Sequence, residues 1–185
     1  MDLPRKRNAA EARARLLGAA LQLFSTAGYA ATGVREIAAG AGLDAALVSR
    51  YFGSKEELFR AALIASLDLE QMLNTPRQQF GAHVVAFFLD RDHNEPNPLP
   101  MMLLATTDPR ARAVALATLE ERVITPLANW IGGEDGPARA ARISILCSGF
   151  FTYWKLLPLA AFAPGIDAGT RRWLEEALQA EVGPG

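Results

Sequence analysis

The residues best suited to binding another molecule lie in one short stretch, from residue 42 to residue 55. Ser49 and Arg50 are adjacent in its middle. A serine hydroxyl donates and accepts hydrogen bonds, and a guanidinium donates several in a rigid fork. These groups suit phosphate oxygens and base edges: Arg50 either binds a guanine bidentately or only pairs with a phosphate. The sequence therefore predicts a binding surface at this stretch.

Covalent or metal chemistry has little support elsewhere in the chain, which has two histidines and one cysteine on separate elements. His83 stands among apolar helical residues and is expected to line a core or pocket rather than bind a metal. His93 lies in an acidic loop that could hold a cation. The loop has no fixed ligand spacing, so we expect it to be solvated and to bind no metal. Cys147 is expected to be a buried apolar residue. Without a nucleophile–base pair or phosphate loop, we predict no enzyme, metal site or cofactor.

A short helix must position Ser49 and Arg50. Asp44 is a suitable N-cap, and Gly53 ends the helix. A second short helix is predicted over residues 34–41, and a turn with glycine joins the two. This is the helix-turn-helix shape, whose second helix enters the DNA major groove. The apolar face of that second helix comprises Leu47, Val48, Tyr51 and Phe52, at spacings i, i+3 and i+4.

Three runs in this region, 32–38, 41–43 and 51–58, resemble the N-terminal domain of tetracycline-repressor-like (TetR-like) regulators, and the resemblance extends from about residue 13 to residue 63. It implies an all-α fold, with an N-terminal three-helix helix-turn-helix domain over residues 1–53. A helical ligand-binding and dimerisation domain would follow over residues 54–185. Two positions depart from the family, which usually has a hydroxyl residue at Gly33 and an aromatic residue at Ser49. The most specific run is Tyr51-Phe52-Gly53-Ser54-Lys55-Glu56.

The expected DNA contacts combine this resemblance with the chemistry of the residues. The N-terminus of a helix favours anions, which suits residues near the start of the first short helix. The basic arm 5–7 is either a solvated tail or a contact with phosphates or the minor groove. The residues expected to bind DNA are Thr32, Arg35, Ala45, Ala46, Ser49, Arg50, Tyr51 and Lys55.

The charge distribution supports this assignment. Residues 1–55 contain eight Lys or Arg and four Asp or Glu, so they carry +4 while the remainder carries −5. A basic head on an acidic body fits one surface that faces phosphates. The single cysteine and the absence of a signal-peptide pattern favour a cytoplasmic protein.

The body is expected to consist of long helices. Residues 55–72 are predicted as one helix that links head and body, and Pro126 is expected to kink a helix over 109–131. Residues 137–157 are apolar nearly all round, which indicates either a membrane span over 143–163 or burial against both the core and a second copy. We favour the second copy, and the resemblance implies a four-helix dimer bundle. The expected dimer residues are Ile145, Ser148, Gly149, Thr152, Trp173, Leu174 and Leu178.

A small-molecule pocket is expected in the body, because such pockets are mostly apolar with a few polar groups. The predicted function is a homodimeric transcriptional regulator that binds a palindrome-like DNA operator and acts as a repressor released by an unidentified small apolar or amphipathic ligand. The alternative is a DNA-binding protein without a ligand. The expected lining residues are Phe80, His83, Val84, Phe87, Met101, Met102, Trp130, Phe151 and Trp154.

Overall fold

The computed structural model describes residues 3–67, 69–90 and 97–183, with backbone alone for residues 3–6. The predicted all-α fold is confirmed: these residues form helices and connecting segments, and no strand. None of the helices they form has the length and apolar character needed to span a bilayer. The helices are α1 (Leu3–Thr26), α2 (Gly28–Ala31), α3 (Val34–Gly40), α4 (Ala46–Phe52), α5 (Lys55–Ser66), α6 (Leu69–Leu73), α7 (Phe80–Asp90), α8 (Pro98–Ala105), α9 (Pro109–Leu119), α10 (Thr125–Ile131), α11 (Gly136–Phe151) and α12 (Ala168–Val182).

The helices form two compact units. The first contains α1 to α5 together with α8 and α9, and the second contains α6, α7 and α10 to α12. Packing therefore joins α5, α8 and α9 to the N-terminal helices. The predicted boundary between residues 53 and 54 separates a DNA-binding domain from a ligand-binding and dimerisation domain. The packing of the two units does not test this functional division, so it stays a prediction.

The core of the first unit forms around one face of α1. Leu16, Ala20 and Phe24 recur at helical spacing and are fully buried. Phe24 meets Phe59 of α5 edge to face, with ring centroids 5.1 Å apart. Tyr29 packs 5.2 Å from Phe59 and donates a hydrogen bond to the carboxylate of Glu56, at the start of α5. The same core contains Ile37 of α3 and Val48 of α4, so α1 packs against the two short helices as well.

The second unit is held together by a close approach of α7 and α12. Gly81 lies against the α12 backbone, where a Cβ would overlap the carbonyl oxygen of Glu175. Gln179 accepts a hydrogen bond from Gly81 N at 3.1 Å and donates one to Arg77 O at 2.9 Å. The Arg77 guanidinium donates to the carbonyl oxygens of Trp130, Ile131 and Val182, at the C-terminal ends of α10 and α12. Carbonyl groups that lack partners at helix ends are therefore satisfied by a cation.

Several helix boundaries differ from the prediction. The helix α1 begins at Leu3, so the basic arm 5–7 is helical. The predicted helix 55–72 is interrupted at Leu67, whose backbone is extended. The residue before it, Ser66, donates a hydrogen bond from its hydroxyl to Leu63 O. A side-chain hydrogen bond of this kind competes with continuation of the helix.

The expected distortion at Pro126 takes a specific form. A π-helical segment, Glu120–Ile124, directly precedes α10, in which Pro126 occupies the first turn. Proline lacks an N–H group and its ring crowds the preceding turn, and the wider π turn accommodates both. A second π segment, Thr152–Leu156, continues from α11.

We predict that Gly81→Ala destabilises the second unit by about 3 kcal/mol, because the added methyl forces α7 away from the α12 backbone. The measurement is the free energy of unfolding in urea. Gly18→Ala is the matched control, since Gly18 is an exposed residue of α1 with nothing near its Cβ position. There alanine should be neutral or stabilising by up to about 1 kcal/mol. Equal effects of the two changes would contradict the close approach.

We further predict that Tyr29 makes stability fall between pH 10 and pH 12. Burial and the hydrogen bond to Glu56 raise the pKa of Tyr29 from its ordinary 10.0 to about 12. The folded chain therefore keeps a proton that the unfolded chain has released, so stability is lost as pH rises through this window. Tyr29→Phe should flatten this part of the profile of unfolding free energy against pH, whereas Tyr153→Phe, at an exposed site, should leave it unchanged. Superimposable profiles for wild type and Tyr29→Phe would refute the assignment.

Candidate nucleic-acid interface

The central element of the interface is α4. The Asp44 carboxylate accepts a hydrogen bond from Ala46 N at 2.7 Å, as its predicted capping role requires. Val48 points into the core of the first unit and is 1% exposed. At the other end, Gly53 adopts φ +85°, a conformation that favours glycine, and its N–H bonds to Ser49 O at 3.0 Å. Capping, burial and a glycine stop thus define a helix of two turns.

A tight turn fixes α4 relative to α3. Gly42 has φ +62°, and its N–H donates to Ala39 O at 2.9 Å. Leu43 N donates to Ala38 O at 2.9 Å. At the start of α3, the Glu36 carboxylate accepts a hydrogen bond from Gly33 N at 3.4 Å. The predicted helix-turn-helix is therefore present.

The outer face of α4 contains three of the predicted DNA-binding residues, because Ala46, Ser49 and Arg50 are all exposed. Ala45 and Tyr51, also predicted, are half-buried beside them, and both pack against the first core. The Arg50 guanidinium lies 5.8 Å from the Tyr51 ring centroid, so the two side chains are neighbours. This face presents small residues, a hydroxyl and a cation, and the small residues permit close approach of a surface. Arg35 of α3 is exposed as well.

Two other predicted DNA-binding residues have different surroundings. Thr32 is 1% exposed, and its hydroxyl donates to Gly28 O at 2.7 Å, so its side chain is buried and its predicted contact with DNA stays a prediction. Its hydroxyl suggested a surface contact in the sequence, but the fold uses it to bond a backbone carbonyl. The Lys55 ammonium lies 4.0 Å from the Tyr29 ring centroid, and burial lowers its pKa. Lys55 is therefore half-buried on an aromatic ring.

The predicted pocket residues fall in different surroundings. Met101 and Met102 belong to α8 in the first unit, and Met101 is fully buried in that unit's core. Phe80 and Val84 are fully buried in the second unit, and His83 is half-buried, with Nε2 3.0 Å from Gln71 O. A groove of about 660 Å³ lies in the second unit, and Trp130 is its one lining residue from the predicted set. The other residues that line it are Glu70, Gln71, Leu73 and Asn74.

Three predicted pocket residues remain in the second unit. Phe87 and Phe151 both pack near Phe88, and Phe151 is 8% exposed. Trp154 stacks with Phe150, and its buried indole N–H has no hydrogen-bond partner among the described residues. Sequence reasoning did not reveal this orphan donor, because an aromatic residue's partners depend on tertiary contacts. That all nine residues line one pocket stays a prediction.

The predicted dimer residues separate into two groups. Ile145 is 70% exposed and Trp173 is 59% exposed, whereas Leu174 and Leu178 are 2% and 1% exposed within the core of the second unit. Both leucines pack within their own chain, in the core that α12 shares with α7, so their predicted place in a dimer interface stays a prediction. Ser148, Gly149 and Thr152 are half-buried.

Metal binding finds no support in the described part of the chain, where no group of three or more His, Cys, Asp or Glu side chains could hold an ion. Cys147 is half-buried, and burial raises the pKa of its thiol to about 12. His93 and most of the acidic loop, residues 91–96, lie outside the described residues.

Comparison with known proteins identifies two family models that match the chain. The family model described as bacterial regulatory proteins, tetR family, matches residues 16–62, which include α3 and α4. The model described as tetracyclin repressor-like, C-terminal domain, matches residues 78–182. The two models together cover most of the chain.

Individual proteins that are similar to this chain agree with the family match. The HTH-type transcriptional activator FasR of Mycolicibacterium smegmatis is 38% identical over 92 residues, 45% of this chain and 42% of that protein, so the chain matches less than half the length of this relative. A TetR-family regulator from Streptomyces coelicolor A3 has a similar structure, with TM-score 0.61, 25% identity and coverage of 94% and 95% of the two chains. The multidrug binding protein EbrR complexed with ethidium has the same fold, with TM-score 0.65, 19% identity and coverage of 94% and 99%.

The matches to both family models thus agree with the helix-turn-helix of α3 and α4. The family model describes bacterial regulatory proteins, and FasR is named a transcriptional activator. The chain belongs to the tetR family of bacterial regulatory proteins and is a DNA-binding transcriptional regulator.

Proposed function

We propose that the chain is a cytoplasmic homodimer that represses transcription from a palindrome-like operator and is released by a small apolar or amphipathic ligand. The observation that carries the DNA-binding part is the outer face of α4, where Ser49 and Arg50 are exposed while Val48 anchors the helix. In a two-fold dimer, two such helices would enter successive major grooves about 34 Å apart. Ser49 and Arg50 would supply the polar contacts to the duplex.

Self-association is supported by apolar surface on the second unit. Ile145, Leu157 and Trp173 are 70%, 64% and 59% exposed, although each is large and apolar. Apolar residues that together form a contiguous exposed patch mark interaction surfaces in soluble proteins, and α11 and α12, which carry Ile145 and Trp173, pack against each other. Half-buried Ser148 and Gly149, on the helix of Ile145, would let a partner helix approach closely.

A ligand is supported by the orphan indole N–H of Trp154, which stands among aromatic rings. An acceptor on an apolar ligand would satisfy this buried donor, whose isolation costs free energy. The ethidium complex of EbrR supports a planar aromatic ligand by analogy of fold. Such a ligand can regulate only by binding one conformation of the dimer better than another.

The second candidate is an activator, since FasR is named as one. A reporter gene with the selected operator upstream of its promoter distinguishes the two: repression lowers expression when the protein is present, and activation raises it. A DNA-binding protein that has no ligand would stay bound to the operator in the presence of every small apolar compound that does not itself bind DNA.

The first test is the selection of bound duplexes from a random pool by the full-length protein. We expect enrichment of a palindrome-like site, and loss of that preference in Arg50→Ala with the protein still folded, because a base or phosphate contact on α4 is removed. Arg112→Ala, an exposed arginine of α9, is the matched control and should bind as wild type does. A wild type that enriches no sequence would refute the proposed function. Unchanged preference in Arg50→Ala would remove Arg50 from it.

The second test concerns the dimer. Ile145→Asp and Trp173→Asp should each weaken self-association at least about tenfold in sedimentation equilibrium, because an unpaired carboxylate would enter an apolar interface. Leu116→Asp, at a 54% exposed position of the first unit, is the control and should leave association unchanged. A wild type that sediments as a monomer throughout the micromolar range would contradict the proposal.

A further inference from the structure

Two arginines of α1 lie beside the two ends of α4. The Arg13 guanidinium lies 4.8 Å from the ring centroid of Phe52, the last residue of α4. Arg15 Nη2 lies 2.8 Å from the position that a Cβ at Gly42 would occupy, in the turn that precedes α4. Both arginines are exposed. A cation therefore stands close to each end of the helix that carries Ser49 and Arg50.

Neither cation is neutralised by a carboxylate among the described residues, whose ion pairs join other side chains. The acidic residues of α3 and of the turn before α4 accept hydrogen bonds from backbone N–H groups. Glu36 accepts a hydrogen bond from Gly33 N, and Asp44 accepts one from Ala46 N. The contact of Arg13 with the Phe52 ring is an attraction between a cation and an aromatic ring, which does not require the guanidinium N–H donors to hydrogen-bond to a protein acceptor.

We propose that Arg13 and Arg15 bind DNA phosphates on either side of the groove that α4 enters. A seven-residue helix is about 10 Å long and the major groove is about 12 Å wide, so cations at its two ends lie near the two backbones. Duplex DNA is the partner because its phosphates offer the complementary charge and guanidinium groups match their geometry. The inference rests on the proposed function for the docking of α4. It adds α1 as an element that positions the protein on DNA through contacts with the phosphate backbone and not with the bases.

The test measures how affinity depends on salt. Fluorescence anisotropy between 50 and 200 mM salt would compare wild type with Arg13→Gln, Arg15→Gln and the double variant, on the selected duplex and on an unrelated one. Each lost phosphate contact should reduce the slope of log affinity against log salt by about 0.9, so the double variant should lose about 1.8. Affinity should fall by the same factor on both duplexes. Arg112→Gln, the matched control, should keep the wild-type slope.

The outcomes separate this inference from a structural role. If the arginines only brace α4, Arg13→Gln and Arg15→Gln lower affinity or stability while the salt slope stays unchanged, and the inference fails. The charge-retaining variants Arg13→Lys and Arg15→Lys should keep most of the slope.

A second measurement does not depend on the folding of any variant. Treating the wild type with phenylglyoxal and mapping the modified peptides by mass spectrometry should show protection of Arg13 and Arg15, but not of Arg112, when DNA is bound. Equal modification with and without DNA would overturn the inference. A wild type that prefers no sequence but shows the expected slopes on unrelated DNA would refute the proposed operator and leave the phosphate contacts standing.

Discussion

The interface depends on the burial of one side of a helix that is too short to be stable alone. Isolated helices below about 12 to 15 residues are marginal in water, and α4 has seven residues. Its helical conformation is therefore stabilised by the core in which Val48 is buried. That core contains Phe24 of α1 and Phe59 of α5. The residues of the outer face are then available for binding, because the buried face and the caps supply the free energy that stabilises the helix. The exposure of Ser49 and Arg50 depends on this division between two faces.

Capping and electrostatics are coupled in the first unit. Glu36 and Asp44 serve as caps for backbone N–H groups, and Glu56 bonds to Tyr29 and pairs with Arg110 at 3.7 Å. Asp44 accepts its hydrogen bond at the start of α4, and the other two carboxylates bond to groups outside α4. The exposed Arg35 and Arg50 supply positive charge at this surface, which suits phosphates.

The second unit shows how a largely apolar sequence reaches a single packing. Gly81 lets α7 approach the α12 backbone, and Gln179 and Arg77 satisfy backbone groups that this packing would otherwise isolate. The same packing turns Leu174 inward while Trp173, its neighbour in sequence, stays exposed. Which apolar residues remain for a partner is thus a consequence of the contact between α7 and α12. A ligand that altered this contact would also alter the surface around Trp173.

Local chemistry allowed the sequence alone to determine the short helix α4, with its cap at Asp44, its stop at Gly53 and its apolar side. These depend on residues within a few positions of one another, where capping and periodicity act. Tertiary structure decided the rest: the burial of Thr32, the break at Leu67, the π turn before Pro126, the inward side of Leu174 and Leu178, and the position of Arg13 on Phe52. Periodicity shows that a face is apolar but not which element covers it, since that choice depends on the packing of side chains distant in sequence.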